Sequence, residues 1–178
     1  MWIWIVLAAV VCFVIAAVTI GGVTGTQLRA LTTTDFGELS TTQLGALSAT
    51  QLASLSATNV SALDATTVGN LSTTQVRGLT TTQVGGLSTT DIGELSSTQI
   101  GSLATTQLAA LNATNVSALD ATQVGSLNAT QVRALTSTQL GGLSTTDIGE
   151  LSSTQVGALT STPPAAMYTT TLGALLPT

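Results

Sequence analysis

The segment Ser40-Thr-Thr-Gln-Leu-Gly-Ala-Leu47 is one copy of an eight-residue unit that fills most of the chain. Residues 24–175 divide into nineteen such octads without an insertion. The third position is Thr in every octad, and the eighth is Leu in all of them except at Met167. The fifth is a large apolar residue except at Pro164, and the sixth is usually Gly. Such regular copies share one local structure, so the octad decides the fold.

The polar residues of the octad indicate how each unit begins. The first position is almost always Ser, Thr, Asp or Asn, which are the residues that best cap the N-terminus of a helix. Three residues later comes Gln in most octads, which completes the pattern of a capping box. The apolar fifth and eighth positions lie three apart and therefore share one side of a helix. Each octad thus predicts one short helix.

Helices of this length are not stable alone, because nucleation costs more than two turns return. We therefore predict an all-α solenoid with its Leu and Val residues turned toward a thin core. Small residues at positions six and seven let neighbouring backbones approach, and the invariant Thr is expected to donate to a carbonyl of an adjacent turn. Representative residues of this framework are Thr42, Leu47, Thr74, Leu79, Thr98 and Leu103. The alternative is a β-solenoid, since Thr and Val favour strands, and its flat Thr face would suggest ice binding or adhesion.

A longer repeat is nested in the octads. The pattern Asp-x-Gly-Glu-Leu begins at Asp35, Asp91 and Asp147, which are seven octads apart. Duplication of a seven-octad block explains this spacing. The spacing is also explained if seven octads make close to a whole number of superhelical turns. This second explanation predicts that the acidic octads form a stripe on one side of the solenoid.

The N-terminal segment differs from the rest of the chain. Residues 1–20 contain no charged side chain, and Trp2 and Trp4 stand at one end, where indole rings favour a membrane boundary. Nineteen helical residues span roughly 28 Å, close to the thickness of a bilayer core. The absence of a basic residue before Arg29 disfavours a cleaved signal peptide. We predict that residues 1–23 form an apolar helix with a Gly hinge, which lies either in lipid or in the core of an assembly. The repeats then occupy residues 24–175, and a tail follows at 176–178.

The composition excludes several function classes. The chain has three Lys or Arg residues, eight Asp or Glu residues and no His, with a net charge of −5. Without a basic patch it is not expected to bind nucleic acid, and without His or Lys most nucleophile–base pairs cannot form. Asp-x-x-Glu pairs could bind a hard cation, but helix-dipole stabilisation of Asp explains them more simply. We predict that the protein is not an enzyme and that it binds no cofactor and no metal. The weak candidates for a metal site are Asp35, Glu38, Asp91, Glu94, Asp147 and Glu150.

The pattern Leu-[Ser/Thr]-[Thr/Ala/Ser]-Thr-[Gln/Asp/Asn]-[Val/Leu/Ile]-Gly-Ala over residues 24–175 resembles the tandem LTTxQ-type octapeptide repeats of large bacterial surface and secreted proteins. The resemblance implies a bacterial origin and an extracytoplasmic, structural or adhesive role. With the apolar segment, it suggests a structural protein anchored in a lipid bilayer or built into a filament, whose repeats self-associate. The alternative is an accessory single-span subunit that caps a larger membrane protein complex.

Overall fold

The computed structural model describes residues 20–160 of the 178, and every regular element in that range is helical. The all-α prediction is confirmed for these residues, and the β-solenoid alternative is wrong. Within residues 20–160, a 3-10 helix at Ile20–Gly22 precedes seventeen helices, one for each octad from 24–31 to 152–159, which we number α1 to α17. They are Gly25–Arg29, Thr33–Gly37, Thr41–Gly45, Ala49–Ser54, Ala57–Ser61, Ala65–Gly69, Thr73–Gly78, Thr81–Gly85, Thr89–Glu94, Ser97–Ser102, Thr105–Ala110, Ala113–Ser117, Ala121–Ser126, Ala129–Arg133, Ser137–Gly141, Thr145–Gly149 and Ser153–Thr160.

Each helix starts where the octad pattern predicts. In α10, Ser96 has an extended backbone with φ −64° and ψ 158°, and its hydroxyl accepts a hydrogen bond from the backbone N–H of Gln99. The Gln99 side chain accepts in return from the backbone N–H of Ser96, at 2.6 Å. Such reciprocal bonds satisfy two donors that a helix start otherwise leaves free. The helix ends before the next cap, when Leu103 leaves the helical conformation.

The core is one continuous cluster built from the two apolar positions of the octad. Every fifth-position residue from Leu28 to Ile148 is buried, as is every eighth-position Leu from Leu31 to Leu135. Leu47, Leu79 and Leu103 all lie in this cluster. Their burial stabilises each helix far more than its own short hydrogen-bond ladder does.

One turn of the solenoid takes about three and a half octads. The helices that pack against each other are three apart along the chain, such as α10 with α13 and α4 with α7. Side-chain hydrogen bonds to the backbone of the preceding turn span sequence separations of 28, 30 or 31, as at Gln99. Each octad therefore lies over the junction between two octads of the turn before. The seven-octad repeat corresponds to two such turns, which agrees with the second of the two explanations given above.

The predicted N-terminal helix at 1–23 falls almost wholly outside the described residues, as do Trp2 and Trp4. Within residues 20–160, none of the helices has the length and apolar character needed to cross a membrane.

Candidate functional surface: glutamine ladder, acidic pairs and threonine row

The fourth-position Gln is the residue that joins one turn of the solenoid to the next. Gln83 is 1% exposed, and its side-chain oxygen accepts from the backbone N–H of Thr80 at 2.8 Å. Its Nε2 donates to the carbonyls of Leu52 and Leu55 at 2.8 and 2.9 Å. One amide therefore caps its own helix with its acceptor and binds the preceding turn with its two donors.

This arrangement recurs along the chain and is here called the glutamine ladder. In each case Nε2 donates to the carbonyl at a sequence separation of 28, on the residue that directly precedes an octad; the members are Gln51, Gln75, Gln83, Gln99, Gln107, Gln123, Gln131, Gln139 and Gln155. That carbonyl lies at the junction between two helical elements. A buried carbonyl without a donor costs about 1–3 kcal/mol, so the ladder removes a penalty that every such junction would otherwise carry.

The ladder corrects the role assigned to the invariant Thr. Every eighth residue from Thr26 to Thr154 is exposed, including Thr42, Thr74 and Thr98. Among the described residues, the carbonyls of the adjacent turn accept from the Gln amide instead. The octad pattern alone predicts a role for Gln only in the capping box. Because a capping box uses only the amide oxygen, the two N–H donors of each buried Gln were the signal that a further acceptor must lie nearby.

Octads without Gln interrupt the ladder in three ways. Asn59 and Asn115 reach the carbonyl at the same separation of 28 through Nδ2, at 3.0 and 2.8 Å, but no capping box forms in their helices. Thr67 is 2% exposed, and its hydroxyl oxygen has no hydrogen-bond partner among residues 20–160. Asp91 and Asp147 are also buried, yet a carboxylate cannot donate to a carbonyl.

In each Asp-x-x-Glu pair, the Asp lies in the capping box at the start of a helix and the Glu lies at the C-terminal end of the same helix. The Asp91 carboxylate accepts from both the N–H and the hydroxyl of Ser88, each at 2.8 Å. The Asp147 carboxylate accepts from the Ser144 N–H at 2.6 Å and from the hydroxyl of Ser117, in the preceding turn, at 2.9 Å.

Their partners Glu38 and Glu94 are exposed. Glu150 is half-buried, and its Oε2 has no hydrogen-bond partner in the part of the chain that the structure describes. Among residues 20–160, no group of three or more His, Cys, Asp or Glu side chains is arranged to hold a metal ion. The Asp oxygens thus serve as helix caps in this part of the chain.

Asp35 shows the electrostatic consequence of this capping. Hydrogen bonds from the hydroxyl and the backbone N–H of Thr32 hold the pKa of its carboxyl below the ordinary value of 3.8, against a smaller opposing effect of burial. A lowered folded-state pKa means that the stabilisation is present above the unfolded pKa and is lost as the pH falls through the folded one. Acid therefore weakens this cap only below the usual range for Asp.

Most of the exposed surface of the solenoid is uncharged and repeats with the octad. The position-three Thr residues form a row that repeats once per octad, which we call the threonine row, and the neighbouring second positions are Ser, Thr, Ala or Gly. The basic residues Arg29, Arg77 and Arg133 are exposed, and the Nε of Arg29 donates to the carbonyl of Ser54 at 3.0 Å. Most of this surface therefore consists of hydroxyl and methyl groups.

Comparison with known proteins agrees with the repeat structure. The family model of the ALTTAQ repeat matches residues 60–97 and 129–161. The segment Ala134-Leu-Thr-Ser-Thr-Gln139 shows how its letters fall on this chain, from the seventh position of one octad to the ladder Gln of the next. No curated protein and no solved structure matches the chain. Over these two ranges, the resemblance of the chain to tandem LTTxQ-type octapeptide repeats is therefore confirmed.

Proposed function

We propose that this chain is a non-enzymatic structural protein that uses its solenoid as a rigid scaffold for self-association. The observation that carries the proposal is the division of labour within the octad. The apolar residues, the cap and the Gln hold the solenoid together, while the invariant Thr faces outward in every described octad. A surface repeated this regularly suits a partner that is itself repetitive, and another copy of the chain is such a partner.

The low charge of the chain supports the same proposal. Only 6% of the residues are charged, against a usual share of roughly a quarter. With only eleven charged side chains and a net charge of −5 over 178 residues, most of the surface of one copy offers no like charge to oppose contact with another. We propose that they pack laterally into a filament or a surface array.

The apolar segment at 1–20 supports a membrane location for this scaffold, with the repeats on the extracytoplasmic side of a bacterial membrane. A flotation assay on membranes tests the anchor through Val11→Arg, since an Arg at the centre of a membrane helix costs about 3 kcal/mol. We expect the variant to leave the membrane fraction, while Gly21→Arg, at the end of the segment, stays with it. Equal membrane retention of both variants would remove the anchor from the proposal.

Negative-stain microscopy of the native membrane extract tests the scaffold. Filaments or two-dimensional arrays are expected, and monodisperse single particles would contradict self-association. Co-purification with other subunits in fixed proportion would favour the accessory-subunit alternative instead.

A further inference from the structure

The acidic residues of the solenoid recur once per superhelical turn. Five of them follow one another at intervals that are alternately two positions shorter and two positions longer than three and a half octads. These five are Glu38, Asp64, Glu94, Asp120 and Glu150. Because one turn takes about three and a half octads, these intervals place one carboxylate per turn on the same side for five turns. The remaining acidic residues, Asp35, Asp91 and Asp147, each lie three positions before one of these Glu residues. All eight acidic residues of the chain therefore lie on one side, but Asp91 and Asp147 are buried caps and Asp35 is half-buried, so the acidic face consists of Glu38, Asp64, Glu94, Asp120 and Glu150.

Two of the three basic residues lie on the opposite side. Arg77 falls near the middle of the interval between Asp64 and Glu94, so it is about half a turn from each. Arg133 has the same relation to Asp120 and Glu150. Both side chains are exposed, and together they define the arginine face. Arg29 lies little more than one octad before Glu38, and its guanidinium is already bonded to the carbonyl of Ser54.

The two faces have the same repeat along the solenoid. Arg77 and Arg133 are seven octads apart, which is two turns, and so are Glu38 and Glu94. Layers of packed helices are separated by roughly 9 Å, so both pairs of charges are spaced about 18 Å apart. The arginine face of one solenoid can thus meet the acidic face of a second with two charge pairs in register. Between these charges lie mostly hydroxyl-bearing and small residues, which do not oppose close approach.

We propose that the acidic face and the arginine face are the two halves of a lateral interface between copies of this chain. The inference rests on the proposed function, for which it supplies the partner surfaces. Because the faces are on opposite sides of the solenoid, the contact is heterologous and each added copy presents a free face to the next. Such a contact produces an open array. Exposed ion pairs are individually weak and are screened by salt, so the association is reversible and sensitive to ionic strength.

Sedimentation velocity of the full chain in detergent, at about 20 mM and about 500 mM salt, tests the proposal. We expect the association constant to fall at least tenfold at high salt. Arg77→Gln combined with Arg133→Gln should produce a similar loss at low salt. The matched control is Thr58→Glu combined with Thr114→Glu, which changes the net charge equally but lies about a quarter turn from either face. The control should associate within about threefold of the unaltered chain.

A charge exchange makes the test specific. Arg77→Glu with Arg133→Glu should abolish association, and Glu38→Arg with Glu94→Arg should weaken it, because only Asp64, Asp120 and Glu150 then remain acidic on that face. A mixture of these two variants should associate more strongly than either alone, because their reversed faces are complementary and so are the faces that each variant leaves unaltered. Far-ultraviolet circular dichroism of each variant separates loss of the interface from loss of the fold.

The outcomes distinguish this inference from the proposed function. Association that ignores salt and all charge variants would overturn the charged interface but leave self-association standing. A chain that is monomeric under every condition would overturn both. A monomeric chain that binds polylysine would assign the acidic face to a basic partner and overturn the second copy as its occupant.

Discussion

Replacing Gln83 by Glu separates the two functions of the ladder residue. Glu keeps an oxygen that can accept from the Thr80 N–H, so the capping box remains possible. It loses the donors to the carbonyls of Leu52 and Leu55, which now receive hydrogen bonds at 2.8 and 2.9 Å. The Leu52 carbonyl retains a bond from the Leu55 N–H at 3.1 Å. The Leu55 carbonyl depends on Gln83, and a buried carbonyl without a donor costs about 1–3 kcal/mol.

The carboxylate adds a further cost, because it is desolvated at a site where Gln83 is 1% exposed and faces carbonyl oxygens. We expect a total loss of about 3 kcal/mol in the free energy of unfolding, measured by urea denaturation followed by circular dichroism. Gln27→Glu is the matched control. Gln27 is exposed and its bonds among the described residues are those of the capping box, so a change within about 0.5 kcal/mol is expected. Equal losses for the two variants would refute the ladder as a source of stability.

Three further sets of substitutions test the packing described above. Thr67→Gln should raise the free energy of unfolding by about 1 kcal/mol, because the Gln amide can donate to the preceding turn, whereas the buried Thr67 hydroxyl has no partner among residues 20–160. No gain on urea denaturation would contradict this. Gly78→Ala should destabilise by about 1–3 kcal/mol, since its Cβ would lie 2.5 Å from that of Ala49. Gly93→Ala, with open space at its Cβ, should stabilise by about 0.5–1 kcal/mol. If Gly78→Ala and Gly93→Ala changed stability in the same direction, the close approach of Gly78 to Ala49 would be contradicted. Ala104→Ser should gain about 1 kcal/mol in the same assay by supplying the cap acceptor that α11 lacks, and a loss would count against the capping box.

The local structure was predictable because it depends on neighbouring residues. Ser96 and Gln99 are three apart, so their capping box follows from the sequence pattern alone. The same is true of the burial of Leu103, since an isolated short helix must cover its apolar side. The all-α solenoid therefore followed from the octad and from the physics of helix ends.

The contacts between turns were not predictable from one octad. The partner of Gln83 is Leu55, and nothing within the octad gives their sequence separation of 28. The seven-octad spacing of Asp35, Asp91 and Asp147 contained that information, because it is twice the turn. It could not be distinguished from simple duplication without the hydrogen bonds. The role of Thr was assigned wrongly for a related reason: an invariant residue suggests a packing role, yet this one is exposed.

The central claim is that one turn of the solenoid takes about three and a half octads, and a disulfide tests it most directly. A Cβ on Gly86 would lie 3.9 Å from that of Ala57 in the preceding turn, which matches the Cβ separation of about 3.8 Å in disulfides. In a Cys12→Ser background, Ala57→Cys with Gly86→Cys should lose both free thiols on mild oxidation while the chain stays monomeric in denaturing gels. Ala57→Cys with Gly93→Cys should keep both thiols. Closure of the second pair, or a first pair that stays reduced, would contradict the proposed turn.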